Sequence, residues 1–292
     1  MPELPEVENT ARSLKRLVVG RRIKDVWTNT PKLIRKGSFE ELKEGVKGRE
    51  ITNVQRRAKN IIISLSGGYA LLIHLKMTGH LLIGKWNIEK EEGKEIAVSL
   101  LKGALSEKVN GYIHVIFYLD DGRELALSDL RKFAKLIFGK EEEIRKEKGI
   151  YDAGTEATEM NSNEFHSVIS GSRKHIKSLL MDQTKIAGIG NIYSDDILFK
   201  AKIHPLRPAA SLTEKEIAKL YDAMKDILAL AVKLGGTSIS DFRTLEGKEG
   251  GYAEKRLVYR RDGKPCPRCG TSIKRIKIGS RSARFCPSCQ KL

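Results

Sequence analysis

A chain of 292 residues with 40% hydrophobic and 6% aromatic content is long enough for two domains, each with a core of its own. Fifty-four Lys and Arg against 37 Asp and Glu give a net charge of +17 and a pI near 9.6, which points to a polyanionic partner. The acidic, proline-containing start lacks a signal-like apolar core and no apolar run is long enough to span a membrane, so a cytoplasmic protein is expected.

From Glu6 to Val18 the apolar residues Val7, Ala11, Leu14 and Leu17 recur at helical spacing, with Pro5 suited to a first turn and Gly20 to a stop. The period then changes. Arg22 to Thr28, Glu50 to Arg56, Asn60 to Leu65, Tyr69 to Lys76, Tyr112 to Leu119 and Glu124 to Leu127 read as strands, with a hairpin signal at Asp120-Asp121-Gly122. This half is therefore expected to be a β-sandwich or barrel with a leading helix. The charged, weakly patterned stretch Trp86 to Asn110 reads as an insertion or long loop, and the Glu-rich stretch Lys140 to Met160 as a linker.

Beyond that linker the pattern is helical. Gly188-Ile189-Gly190-Asn191 precedes an apolar stretch and fits either a phosphate-binding helix start or a plain helix corner. The capping box Thr213 to Glu216 opens a helix whose apolar face, Ile217, Leu220, Met224, Ile227 and Ala231, runs to Gly235-Gly236. Gly235 to Tyr252 is aperiodic, rich in Gly and Ser, and reads as a loop.

From Tyr252 onward, twelve Lys or Arg face only Glu254 and Asp262. Within that basic tail the pairs Cys266/Cys269 and Cys286/Cys289 have the spacing of a zinc ribbon, with Gly270 at a turn position and Lys274, Arg275, Lys277, Arg281 and Arg284 between the pairs. Four thiolates leave no open coordination position, so one structural zinc ion is expected; the basic face serves phosphates or is merely solvated.

The start Met1-Pro2-Glu3 has two readings. With Met1 removed, Pro2 carries a secondary amine that can attack a sugar carbon, and Glu3 can move protons beside it. The same residues also serve as a simple helix lead-in.

Taken in order, Met1 to Glu8, His74 to Gly79, Asp129 to Phe133, Met181 through Asn191 to His204-Pro205, and the terminal cysteine ribbon resemble the formamidopyrimidine-DNA glycosylase family of base-excision repair enzymes. The resemblance spans nearly the whole chain. It implies an α+β architecture: an N-terminal β-sandwich with a leading helix, a C-terminal helix-two-turn-helix domain and a zinc-ribbon hairpin. The implied divisions are 1–145, 146–236, a lesion-sensing loop and connector at 237–262, and a zinc finger at 263–292.

The resemblance also implies removal of oxidised purines from double-stranded DNA, followed by β,δ-elimination at the abasic site through an iminium on Pro2. Pro2, Glu3, Lys59 and Arg281 match the catalytic set, and His74, Met77, Arg131, Phe133 and Asn191 match DNA contacts. Met77, Arg131 and Phe133 match the side chains that fill the gap left by the extruded base, although Met77 and Phe133 also suit a sheet core. Asn191 and Arg281 match grips on the flanking phosphates.

Ala134, Ala58, Asn60, Ser240 and the length of the Trp86 to Asn110 stretch depart from the family pattern. The competing expectations are an endonuclease VIII-like preference for oxidised pyrimidines, against which Leu4 argues, and a non-catalytic zinc-ribbon DNA-binding protein, against which Pro2, Glu3 and Lys59 argue. A monomer suffices for either enzymatic reading.

Overall fold

A computed structural model describes residues 1–238 and 241–292; the departure at Ser240 lies outside the described residues. The chain forms two compact units, Met1–Tyr151 with Leu234–Ala253, and Asp152–Lys233 with Glu254–Leu292.

The first unit opens with α1 (Leu4–Val18), in which Pro5 lies within the first turn and Val7, Ala11 and Leu14 are buried. It continues through β1 (Ile23–Thr28), α2 (Phe39–Val46), β2 (Ile51–Arg57), β3 (Asn60–Leu65), β4 (Tyr69–His74), β5 (His80–Gly84), β6 (Trp86–Glu91), β7 (Lys94–Ser99), β8 (Ile113–Leu119), β9 (Glu124–Ser128), β10 (Lys135–Lys140) and α3 (Glu141–Arg145). Two four-stranded antiparallel sheets form, in the orders β1-β8-β9-β5 and β10-β4-β3-β2. Val26, Val115, Phe117 and Leu127 of one sheet join Ile61, Ile63, Leu71, Ile73 and Leu136 of the other, with Val7 and Leu14 of α1, in a single core. The expected β-sandwich with a leading helix is the observed fold.

The outer face of the second sheet is also covered, because Ile62, Leu72 and Ile137 pack with Ile144 of α3 and Ile150. That explains the unbroken run Ile61-Ile62-Ile63: β3 is buried along its whole length, so alternation gives way to continuous apolar residues. Each such burial contributes about 1.5–3 kcal/mol.

The stretch from Trp86 to Asn110 is not a structureless loop. Most of it is an antiparallel hairpin, β6 against β7, paired from Trp86↔Ser99 to Glu91↔Lys94. Trp86 and Ala97, with Ile88 and Leu105, lie on Leu82, Ile113, Ile116 and Ala126, so the hairpin seals the outer face of the first sheet. Only one side of each strand needs to be apolar for this, and the abundant charges on the other side mask the pattern.

The second unit contains β11 (Thr155–Glu156), α4 (Ser162–Ser170), α5 (Ile176–Leu180), β12 (Ile186–Ala187), α6 (Asn191–Ala201), α7 (Glu214–Lys233) and the hairpin β13 (Lys274–Ile278) and β14 (Arg281–Phe285). The capping box forms as its sequence indicates: Glu216 N donates to Thr213 Oγ1 at 3.3 Å and Thr213 N to Glu216 Oε2 at 2.9 Å. Among the described residues, no helix is long and apolar enough to cross a membrane.

Candidate active site and nucleic-acid interface

Within the first unit, Pro2 and Glu3 are buried at the entry to α1. Glu6, itself buried, accepts from Glu3 N at 2.7 Å through Oε2 and from Thr237 N at 2.7 Å through Oε1. One carboxylate thus satisfies an orphan N–H at the helix start, complements the helix dipole and fastens Thr237 to that helix. Gly236 lies at φ +82, and a Cβ there would meet Glu6 Oε1 at 2.8 Å and Cγ at 2.9 Å, so only glycine fits. Sequence reading passed over Glu6, since nothing local signals a bond to a residue so far along the chain.

The α-amino group at Met1 titrates below its ordinary value, chiefly because burial disfavours its charge; Lys59 pushes it further down, while Glu3, Glu6 and Asp241 pull it up. Lys59, 7% exposed, is therefore an electrostatic neighbour of the chain start. It occupies the tight turn between β2 and β3, following Ala58 at φ +51. Ala58, one of the departures from the family pattern, adopts left-handed backbone that glycine would take without strain. Asn60, the other departure here, donates through Nδ2 to Gly149 O at 3.1 Å.

At the end of β4, His74 accepts from Lys76 N on Nδ1 at 3.0 Å. Burial first, then the charges of Lys76, Lys59 and Lys135, push its pKa down to about 3, so the ring stays neutral.

Met77 and Phe133 are 41% and 45% exposed, which rules out the sheet-core alternative for both. Arg131 ties them together: its Nη1 approaches Met77 Sδ at 3.2 Å and its guanidinium lies 4.5 Å from the Phe133 ring centroid. Their loop is braced from beneath by Asp129, which is fully buried. Its Oδ2 accepts from Phe133 N and Ala134 N at 2.7 Å each, and its Oδ1 from Arg131 N at 3.3 Å and from the Thr78 hydroxyl. Ala134, the departure next to Phe133, is wholly buried in the sandwich core, where its methyl group is accommodated.

Within the second unit, Asn191 begins α6. The turn before it is fixed by Gln183, whose Nε2 donates to Ile189 O at 2.7 Å and whose Oε1 accepts from Gly188 N at 3.0 Å. Asn191 Oδ1 has no hydrogen-bond partner among the described residues, and it stands at the positive end of the helix dipole.

Two consecutive buried acids of α6 anchor the segments that follow. Asp195 pairs with Lys177 and accepts from Arg284 N of β14 at 3.1 Å; burial raises its carboxyl against the pull of Lys177. Asp196 accepts from Leu257 N at 3.1 Å and Val258 N at 2.9 Å. The hairpin is thus fixed to the helix that presents Asn191. Arg281, at the start of β14 beside Gly279-Ser280, remains exposed, whereas Arg284 turns inward to Asp262 at 3.2 Å and over Tyr259.

The sulfurs of Cys266 and Cys289 lie 4.0 Å apart, those of Cys269 and Cys286 3.5 Å, and those of Cys269 and Cys289 3.4 Å. Tetrahedral zinc with Zn–S near 2.3 Å requires about 3.8 Å between sulfurs, so the residues fit one zinc ion. Backbone N–H groups of Arg268 and Cys289 donate to Cys266 Sγ and Cys286 Sγ at 3.4 Å each, supporting both knuckles. Gly270 adopts φ +77 as its position after the first knuckle suggests.

Three family models cover the chain: the formamidopyrimidine-DNA glycosylase N-terminal domain at residues 1–136, the formamidopyrimidine-DNA glycosylase H2TH domain at 153–243, and the zinc finger found in FPG and IleRS at 263–292. The formamidopyrimidine-DNA glycosylase of Pelotomaculum thermopropionicum is 40% identical over 294 residues, covering 100% of both chains. The chain belongs to the formamidopyrimidine-DNA glycosylase family. The enzyme of that name from Lactiplantibacillus plantarum is 38% identical over 297 residues, again covering 100% of both. A solved Lactococcus lactis Fpg in complex with DNA containing an abasic site superposes with a TM-score of 0.85 at 31% identity, over 99% of this chain and 100% of that one.

This member of the glycosylase family is an enzyme with the expected α+β fold and a four-cysteine zinc site. The residues matched to the family's site fall into two groups. Pro2, Glu3, Lys59, His74, Met77, Arg131 and Phe133 belong to the first unit; Asn191, Arg281 and the four cysteines belong to the second.

Proposed function

We propose that this glycosylase excises oxidised purines, 8-oxoguanine and formamidopyrimidines, from duplex DNA and then cleaves the abasic strand by β,δ-elimination. The observation that carries this reading is the buried grouping of the chain start, Glu3 and Lys59, where burial lowers the pKa of the α-amino group at Met1 and so favours an uncharged amine at this end of the chain. Relatives support action on damaged DNA: solved Lactococcus lactis structures are described with DNA containing an abasic site, Fapy-dG or an oxidised pyrimidine, and the Fapy-dG complex supports the oxidised-purine class.

Removal of Met1 leaves Pro2 as the nucleophile. Its nitrogen attacks C1′ of the damaged nucleotide, the bond to the base breaks, and loss of the ring oxygen's hold on C1′ gives an iminium between Pro2 and the opened sugar. Glu3 supplies the proton for ring opening and takes one back later. Abstraction at C2′ then expels the 3′ phosphate, and a second elimination expels the 5′ phosphate. Lys59 and Arg281 neutralise the phosphates as they leave, and Asn191 grips the backbone from the α6 start.

Met77, Arg131 and Phe133 fill the space left by the extruded base, offsetting a cost of a few kcal/mol, and Arg131 meets the orphaned partner base. The zinc ion is structural and takes no part in these steps. The divisions 1–145, 146–236, 237–262 and 263–292 assign the nucleophile, the phosphate grip, lesion sensing and the hairpin to successive segments. The enzyme acts as a monomer on chromosomal DNA in the cytoplasm.

Base release measured on otherwise identical duplexes tests the substrate. Faster excision of 8-oxoguanine and formamidopyrimidine than of 5-hydroxycytosine is expected; the reverse order would favour the endonuclease VIII-like reading.

A further inference from the structure

We infer that Arg56 is a positioning residue for this chemistry: held by Glu8 of α1, it grips the carbonyl of Ala58 and so fixes Lys59 beside the N-terminal amine. This inference rests on the proposed lyase reading. No step of that mechanism uses Arg56 or Glu8, yet the Arg56 side chain is only 5% exposed.

Its guanidinium donates in two directions. Nε meets Glu8 Oε2 at 2.6 Å and Nη1 meets Ala58 O at 2.9 Å. Glu8 sits on the same rigid helix as the nucleophile's entry, and its other oxygen accepts from Arg12 Nε at 2.6 Å. These contacts hold the Glu8 carboxyl below its ordinary value, Arg56 acting ahead of Arg12, while its partial burial opposes them. Ala58 at φ +51 is the residue immediately before Lys59. A left-handed alanine persists only where its surroundings determine it, and the bond to its carbonyl is such a determinant. One planar fork therefore connects the helix that starts at the nucleophile with the turn that presents Lys59. A lysine at 56 is a point charge on a flexible stem and cannot hold both acceptors in this geometry.

The consequence is electrostatic as well as steric. The charged groups facing the α-amino group at Met1 are Glu3 at the N-cap of α1, Glu6 of α1, Asp241, and Lys59 of the β2–β3 turn. Burial lowers this pKa most, and among the charged groups Lys59 alone lowers it further. If Lys59 swings away, its share of the lowering is lost while that of burial remains, the pKa rises, and less amine is unprotonated at a given pH. The acid limb of the rate profile then moves to higher pH.

The test is single-turnover borohydride trapping on an abasic duplex across the neutral pH range, for wild type, Arg56→Lys and Glu8→Gln. Both variants should react about tenfold to a hundredfold more slowly, the scale of a catalytic group slightly misplaced. They should bind a tetrahydrofuran-containing duplex within about twofold of wild type, and their acid limbs should shift upward. A purely structural role would alter thermal stability and rate without moving the limb, and that result would overturn the inference, as would unchanged rates. Should Arg56→Lys fail to fold, Glu8→Gln, which keeps the arginine, decides alone. Absence of trapping by wild type would refute the lyase reading and this inference with it; normal trapping by both variants refutes the inference only.

Discussion

Cys286→Ser is expected to strip the protein of its zinc and to remove most of its affinity for DNA. Cys286 is fully buried, its sulfur lies 3.5 Å from that of Cys269, and its backbone N–H is bound by Gln290 Oε1 at 2.9 Å. Besides the metal, the ribbon is held by a small apolar cluster of Phe199, Val258 and Ile273 with the cysteines, by Asp195 at Arg284 N and by Gln290 Nε2 at Ile203 O, and these contacts depend on the knuckles being closed. In modules of this kind metal binding supplies the folding free energy, on the order of 10 kcal/mol, so loss of one ligand unfolds the ribbon rather than loosening it. With it go the exposed cations Lys274, Lys277 and Arg281. Affinity at physiological salt should fall by about a hundredfold or more, and the plot of log affinity against log salt should flatten by about two to three units. Metal analysis with salt-dependent binding curves checks this; a zinc-free variant with the parental slope would exclude the hairpin from the DNA contact.

Asp129→Ala should have the next largest effect, and a selective one. The Asp129 carboxylate accepts from three backbone N–H groups of the plug loop and from the Thr78 hydroxyl, all in a buried setting. Hydrogen bonds to a charged acceptor contribute about 1.5–3 kcal/mol each, and alanine leaves the donors at Phe133 and Ala134 unmet, so stability should drop by about 3 kcal/mol or more. The loop would no longer hold Met77, Arg131 and Phe133 together, and excision from a paired duplex should slow by about a hundredfold. Cleavage of a single-stranded abasic oligonucleotide needs no plug, because nothing has to be unstacked, and should stay within a few-fold of wild type. Equal losses on both substrates would show that Asp129 supports the fold alone.

Much of this was legible in the residues. Val7, Ala11 and Leu14 announce α1 by spacing, the Thr213 capping box announces α7, and the two cysteine pairs announce the zinc site, because each signal is local and periodic. The strands of the sandwich were read to within a residue or two, apart from β5 and β10, whose flanks merge with the motif residues around Met77 and Phe133. The β6–β7 hairpin was missed because Glu and Lys dominate its open face. Glu6, Asp129, Asp195 and Asp196 were missed for a different reason: each is an acid whose partners are mainly backbone N–H groups or residues distant in sequence. An isolated Asp or Glu reads as surface until those donors are placed around it. The residues proposed to act were therefore readable from the resemblance, and the acids that hold their loops and helices in place were not.

The central claim, an N-terminal secondary amine as nucleophile, is tested most directly by borohydride trapping on an 8-oxoguanine duplex with protein lacking Met1, beside Pro2→Gly and a form that retains Met1. A covalent protein–DNA band is expected from the processed wild type, weakened in Pro2→Gly and absent when Met1 blocks the amine. Tight, lesion-selective binding with no band from the processed wild type, or an undiminished band from the Met1-retaining form, would contradict it.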